Sequence, residues 1–214
     1  MKSHDFASLL CSRLCHDLLS PIGALNNGIE LLTDENDPEM RARCLDLLAE
    51  SARASANKLK FFRLAFGAAG GFAEEVDTRE AHGAIEGLFG GDGRIQLNWM
   101  VSEPTMSKSA LKILLNLVLI AGDALVRGGR LDIGAERRTV EDGGGVDIVI
   151  RSEGTRIVLD PEIRRVLNGE ADGDIAPRAA AAWLARSLIE EGGGALQLMD
   201  GEEGVLLLGT SLRR

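Results

Sequence analysis

His16 is the side chain most clearly set up for chemistry in this sequence. An imidazole ordinarily titrates near about pH 6.5, so at neutral pH its ring nitrogen is largely deprotonated and can attack an electrophile without a strong base beside it. Apolar residues flank the position at Leu14 and Leu18, each two steps away. At about 100° per helical residue, that spacing puts His16 ~160° from both, on the side facing water. Its helical neighbours are Ser12, Ser20 and Gly23, with Arg13 one turn before and Leu19 one turn after. Mostly small side chains leave the imidazole on bare helix surface, open to close approach by a second protein. Pro21 lies five residues on; it removes a backbone donor and is expected to bend the helix. His4 and His82 have no such setting.

The elements that must position this residue follow from the hydrophobic pattern. Phe6, Leu10, Leu14, Leu18, Ile22, Leu25, Ile29 and Leu32 recur every three or four residues, predicting one helix over 5–32 with a near-heptad seam. Asp37-Pro38 reads as an N-cap followed by proline at the first helical position. A second seam then runs from Met40 through Cys44, Leu48, Leu59 and Phe62 to Phe66, and the stretch Gly67-Ala68-Ala69-Gly70-Gly71 stops it. Two antiparallel helices of about 28 residues make a hairpin roughly 40 Å long. No third or fourth helix is left to cover its seam, so a symmetric dimer closing a four-helix bundle is expected.

Beyond the hairpin the period changes. Helices are predicted near 78–89, 108–127 and 177–191, and strands near 94–101, 130–136, 146–151, 195–199 and 204–210. Asp142-Gly143-Gly144-Gly145 reads as a turn, and Gly192-Gly193-Gly194 as a helix stop. Neither glycine run is followed by Lys-Ser/Thr, so there is no P-loop. The chain is therefore expected to be α+β. A helical hairpin occupies 1–68, a linker 69–75, and an α/β sandwich 76–214.

Composition narrows the partners. Lys+Arg 24 against Asp+Glu 33 gives a formal charge of −9 in 214 residues, the wrong sign for nucleic acid or an anionic membrane. No Tyr and two Trp leave little surface for stacking bases or sugars. Cys11, Cys15 and Cys44 show no zinc-ligand spacing and read as small buried thiols. Without a signal-type or membrane-spanning apolar run, the sequence points to a cytoplasmic protein.

Arg13-Leu14-Cys15-His16-Asp17-Leu18-Leu19-Ser20-Pro21 resembles the phosphoacceptor box of sensor histidine kinases. More closely, CHDLLSPIGAL with NGIELL, together with LKFFRLAFGAAG at 59–70, is similar to the ChpT-type histidine phosphotransferases of bacterial phosphorelays. The resemblance implies that the second half is a histidine-kinase-like (GHKL, or Bergerat) ATP-binding fold that has lost its chemistry. Laid on the kinase motifs, Asn116 falls on a structural asparagine and Ile120 on the metal-holding one. Ser152, Gly154 and Arg156 fall on the adenine-reading Asp-x-Gly-x-Gly run, and Ala179-Ala180-Ala181-Ala182 on the glycine-rich lid hinge. Ile120 has no oxygen for a hard cation, Ser152 no carboxylate for an adenine amino group, and Arg156 fills space a glycine would leave. Of the Asp-x-Gly-x-Gly run only Gly154 persists.

The resemblance further implies that His16 shuttles a phosphoryl group between receiver-domain aspartates. Asp17 would orient the ring or hold its proton, and Arg13 would offset phosphoryl charge. Ser12, Leu19, Ser20 and Gly23 would form the contact surface. No cofactor is expected, because Mg²⁺ would belong to the partner receiver. The implied partners are a second copy of the chain, the receiver of a CckA-type hybrid kinase, and regulators of CtrA and CpdR type. Two other readings remain open at this point: an ATP-dependent sensor kinase, and a kinase-like dimer that only sequesters a regulator.

Overall fold

The structure is a computed structural model that describes residues 1–67, 74–91, 93–139, 144–171, 175–201 and 204–213. Helix α1 spans Ser3–Asp34 and α2 spans Pro38–Ala65. Asp37 caps α2, its carboxylate accepting from the Glu39 and Met40 amides at 2.9 Å each. Arg41 reaches back to the Leu32 and Glu35 carbonyls (3.0 and 2.7 Å), so a cation closes the end of α1, where the helix dipole favours one. Gly28 lets the two helices meet: a Cβ there would stand 2.8 Å from Leu48 Cδ2.

The remaining elements are β1 (Glu75–Asp77), α3 (Thr78–Phe89), β2 (Ile95–Val101), β3 (Thr105–Ser107), α4 (Lys108–Asp123), β4 (Gly129–Arg137), β5 (Val146–Glu153), α5 (Pro161–Asn168), a 3₁₀ turn at Pro177–Ala179, α6 (Ala180–Glu191), β6 (Leu196–Gly201) and β7 (Val205–Leu212). Five strands form one sheet in the order β2-β4-β5-β7-β6, parallel only between β2 and β4. β1 and β3 pair separately. Alternation sorts the sheet faces. Leu131, Ile133, Ile148, Ile150, Leu206 and Leu208 are buried in the core they share with α3, α4 and α6. Arg130, Asp132 and Arg151 stand at the alternate positions, where Asp132 accepts from Asn98, Arg130 and Arg151.

Several expectations need correction. β1, β3 and α5 were not anticipated; each is short, with too few turns or pleats to establish a period. α4 stops at Asp123 rather than 127. Of the linker expected at 69–75, residues 69–73 lie outside the described residues and Glu75 already belongs to β1. The turn at Asp142-Gly143 lies outside them too. The end of α2 is embedded in the sheet half: Phe61, Phe62, Leu64 and Ala65 belong to the same core as Leu111 and Leu114, and Asn116 Nδ2 donates to the Ala65 carbonyl at 3.1 Å. Cys11 and Cys15 are exposed and only Cys44 is buried. The first two sit off the seam of α1, on a face that the described residues leave exposed.

Along the hairpin, the seam itself is only partly covered. Ile22, Ile29, Met40 and Leu59 remain exposed, Ile29 at 55%. Among the described residues no helix is long and apolar enough to cross a membrane.

Candidate functional site

His16 projects from the middle of α1 with 86% of its side chain exposed. Ser12, Leu19 and Ser20 around it are exposed as well, and a Cβ on Gly23 would meet nothing within 4 Å. Nδ1 of His16 lies 3.1 Å from Asp17 Oδ1. An ionised carboxylate only accepts, so this contact assigns the proton to Nδ1 and leaves the lone pair on Nε2.

Asp17 is the opposite of its neighbour, with only 15% of its side chain exposed. Its second oxygen accepts from Arg13 Nε at 2.6 Å. Arg13 continues to the sheet half: Nη2 donates to Asp123 Oδ2 at 3.1 Å and Nη1 to the Arg178 carbonyl at 3.3 Å. Burial alone would lower the pKa of Arg13, but the charges of Asp123 and Asp17 outweigh it and raise the pKa further above its already high value. The Asp123 carboxyl has an open outer edge but dense protein behind it. Desolvation pushes its pKa up, against the pull of Arg13. The guanidinium expected to face a phosphoryl group is therefore committed to two carboxylates and a carbonyl.

Pro21 recruits a further cation. α1 runs through it unbroken, but proline has no N–H to return to the carbonyl four residues back, which is that of Asp17. Lys58 Nζ, from α2, donates to that carbonyl at 2.9 Å. Neither Lys58 nor Asp123 was singled out in the sequence. Lys58 gives no signal there. Asp123 gives a faint one, an acidic residue closing an otherwise apolar helix, where the dipole disfavours it.

The kinase-motif positions of the second half have other occupations. Ile120 is buried in the core. Ser152 is fully buried and its hydroxyl donates to the Ala121 carbonyl at 2.9 Å. Arg156 is exposed, and Ala179–Ala182 are buried in the 3₁₀ turn and the start of α6. Gly154 is required by packing, since a Cβ there would stand 2.7 Å from the Gly128 carbonyl. At these positions Ile120 offers a hard cation no oxygen, and the Ser152 hydroxyl is already used.

Known proteins share the sequence and the fold of this chain. The family model for the histidine phosphotransferase C-terminal domain matches residues 78–204. Protein phosphotransferase ChpT of Brucella abortus is 33% identical over 192 residues, covering 88% of this chain and 87% of its own. A solved bacterial phosphotransferase superposes with a TM-score of 0.85 at 31% identity, over 98% of this chain and 97% of that one. The family model over more than half of the chain and the 33% identity over most of its length show that the chain belongs to the ChpT family of histidine phosphotransferases.

Proposed function

We propose that His16 is the phosphoryl-carrying residue of a two-component phosphorelay, and that the protein works without ATP. The observation that carries this reading is the imidazole itself, 86% exposed with a carboxylate on Nδ1. Nε2 attacks the phosphorus of an aspartyl phosphate on a receiver domain. The N–P bond forms as the P–O bond to the aspartate breaks, and the carboxylate leaves with the bonding electrons. The phosphorylated ring is then protonated at Nδ1, and Asp17 stabilises that cation. Attack by a second receiver's aspartate reverses the step. Mg²⁺ belongs to the receiver's acidic pocket. The donor is a hybrid-kinase receiver of CckA type, and the acceptors are regulators of CtrA and CpdR type, which meet the surface of Ser12, Leu19, Ser20 and Gly23.

Ile120, Ser152 and Arg156 support the ATP-independent part of the reading. The exposed Ile22, Ile29, Met40 and Leu59 support a cytoplasmic homodimer in which a second hairpin completes a four-helix bundle. The two structural units of the proposal are the hairpin, 1–68, and the sheet half, 76–214.

His16→Gln is expected to abolish acid-labile labelling from a phosphorylated receiver while leaving the thermal midpoint unchanged, since the side chain is exposed. Persistent labelling of that variant ends the assignment. Micromolar binding of a fluorescent ATP analogue with Mg²⁺ would overturn the ATP-independent part.

A further inference from the structure

We infer that Asp123 is a positioning residue for the imidazole of His16, acting from the sheet half through Arg13 and Asp17. The inference rests on the reading of His16 given above. Four side chains stand in line: Asp123 Oδ2 accepts from Arg13 Nη2, Arg13 Nε donates to Asp17 Oδ2, and Asp17 Oδ1 meets His16 Nδ1, at 3.1, 2.6 and 3.1 Å. Asp123 does not touch the imidazole, and its effect passes through the guanidinium.

An isolated Arg–Asp pair one turn apart on a helix is worth less than thermal energy and does not hold two side chains in one arrangement. Here the guanidinium is fixed from three directions. Nε goes to Asp17, Nη2 to Asp123 and Nη1 to the Arg178 carbonyl, the last two reached across more than a hundred residues of sequence. Held that way, Arg13 engages one oxygen of Asp17 and leaves the other for His16. Freed from Asp123, the guanidinium can turn to grip both oxygens of Asp17 as a fork, the geometry it favours with a carboxylate. Oδ1 would then be withdrawn from Nδ1.

A second observation points the same way. Asp123 is the last residue of α4, where the helix dipole disfavours an anion, and α4 has no basic residue in its last turn. The carboxylate is unfavourable for its own helix. Its hydrogen-bonded counter-charge is Arg13 of α1, one turn before the histidine, with the charge of Lys58 from α2 adding to it.

The test uses the full chain, ¹⁵N-labelled, and reads the His16 tautomer by long-range ¹H–¹⁵N spectra in the wild type, Asp123→Asn, Asp123→Glu and Asp17→Asn. Wild type should be mainly the Nδ1–H tautomer. Asp123→Asn should move toward the Asp17→Asn pattern, and Asp123→Glu should return toward wild type. Phosphorylation by potassium phosphoramidate, in which Nε2 bonds phosphorus and ammonia departs from the broken P–N bond, should slow by roughly three- to tenfold in Asp123→Asn, as expected of a displaced orienting group. Arg13→Lys keeps the charge but not the three-way grip. It should give the same tautomer shift, and it serves if Asp123→Asn fails to fold. A wild-type tautomer in a folded Asp123→Asn or Arg13→Lys variant overturns the inference, as does an Asp17→Asn spectrum identical to wild type. The reading of His16 fails separately, if His16→Gln still takes up phosphate from phosphoramidate at the wild-type rate.

Discussion

The two halves of this protein treat similar side chains in opposite ways. Around His16 the hairpin leaves the imidazole, and Leu19 at 69%, open to water. In the sheet half, Ile113, Leu114, Leu117 and Val118 of α4 are fully buried, and Ser152 is closed in with them. One half leaves His16 and Leu19 exposed. The other buries Ile120 and Ser152, two of the positions that the kinase resemblance singles out. Asp123 of the second half meets the hairpin at Arg13, one turn before the histidine.

This contrast can be broken most forcefully at Ser152. Putting back the kinase carboxylate with Ser152→Asp should not restore a nucleotide site. It would bury an unpaired anion against the Ala121 carbonyl, at a cost of about 3 kcal/mol or more in a urea melt. Nucleotide binding by a stable Ser152→Asp variant would show that the pocket is only dormant.

A smaller effect sharpens the contrast within the hairpin. Lys58→Met orphans the Asp17 carbonyl and should cost about 1–2 kcal/mol. In a Pro21→Ala background the restored amide takes over that carbonyl, so the same substitution should cost much less. A double-mutant cycle measures the difference, and additive effects would show that Lys58 is not there on account of the proline.

The smallest effect concerns the open face of the sheet. Burial pushes the Asp132 carboxyl up, but hydrogen bonds from Asn98, Arg130 and Arg151 outweigh it and hold the carboxyl below its ordinary range. A lowered folded pKa means the contribution is complete above the unfolded value, near about 4, and fades as pH falls through the folded one. Asp132→Asn should therefore cost about 1 kcal/mol at pH 7, with the gap from wild type closing below about pH 4. A gap that persists into acid would assign the loss to packing instead.

Much of the hairpin was legible because its determinants are local. The Asp37-Pro38 start, the seam of α1 and the outward direction of His16 all depend on residues within a few turns of one another, where helical periodicity governs. The strands β5 and β7 were legible for a similar reason, as β-rich runs bounded by glycine. The short β1, β3 and α5 carry no period, and β1 and β3 exist only because each supplies the other's hydrogen bonds. The exposure of Cys11 and Cys15 was misjudged because a thiol's average habit of burial says nothing about which face of α1 finds cover.

The role of Arg13 shows where sequence reasoning stops. By spacing alone it is a cation one turn from a histidine, free to meet a phosphoryl group. In the fold it is held by Asp123, 110 positions away in the chain, and by the backbone at Arg178. The sequence by itself determined that His16, the proposed nucleophile, faces outward, because helix geometry is set residue by residue. Only the tertiary structure decided what holds that side chain's neighbours, because long-range contacts form when separate apolar faces share one core, and no local pattern encodes which polar groups that packing brings within reach.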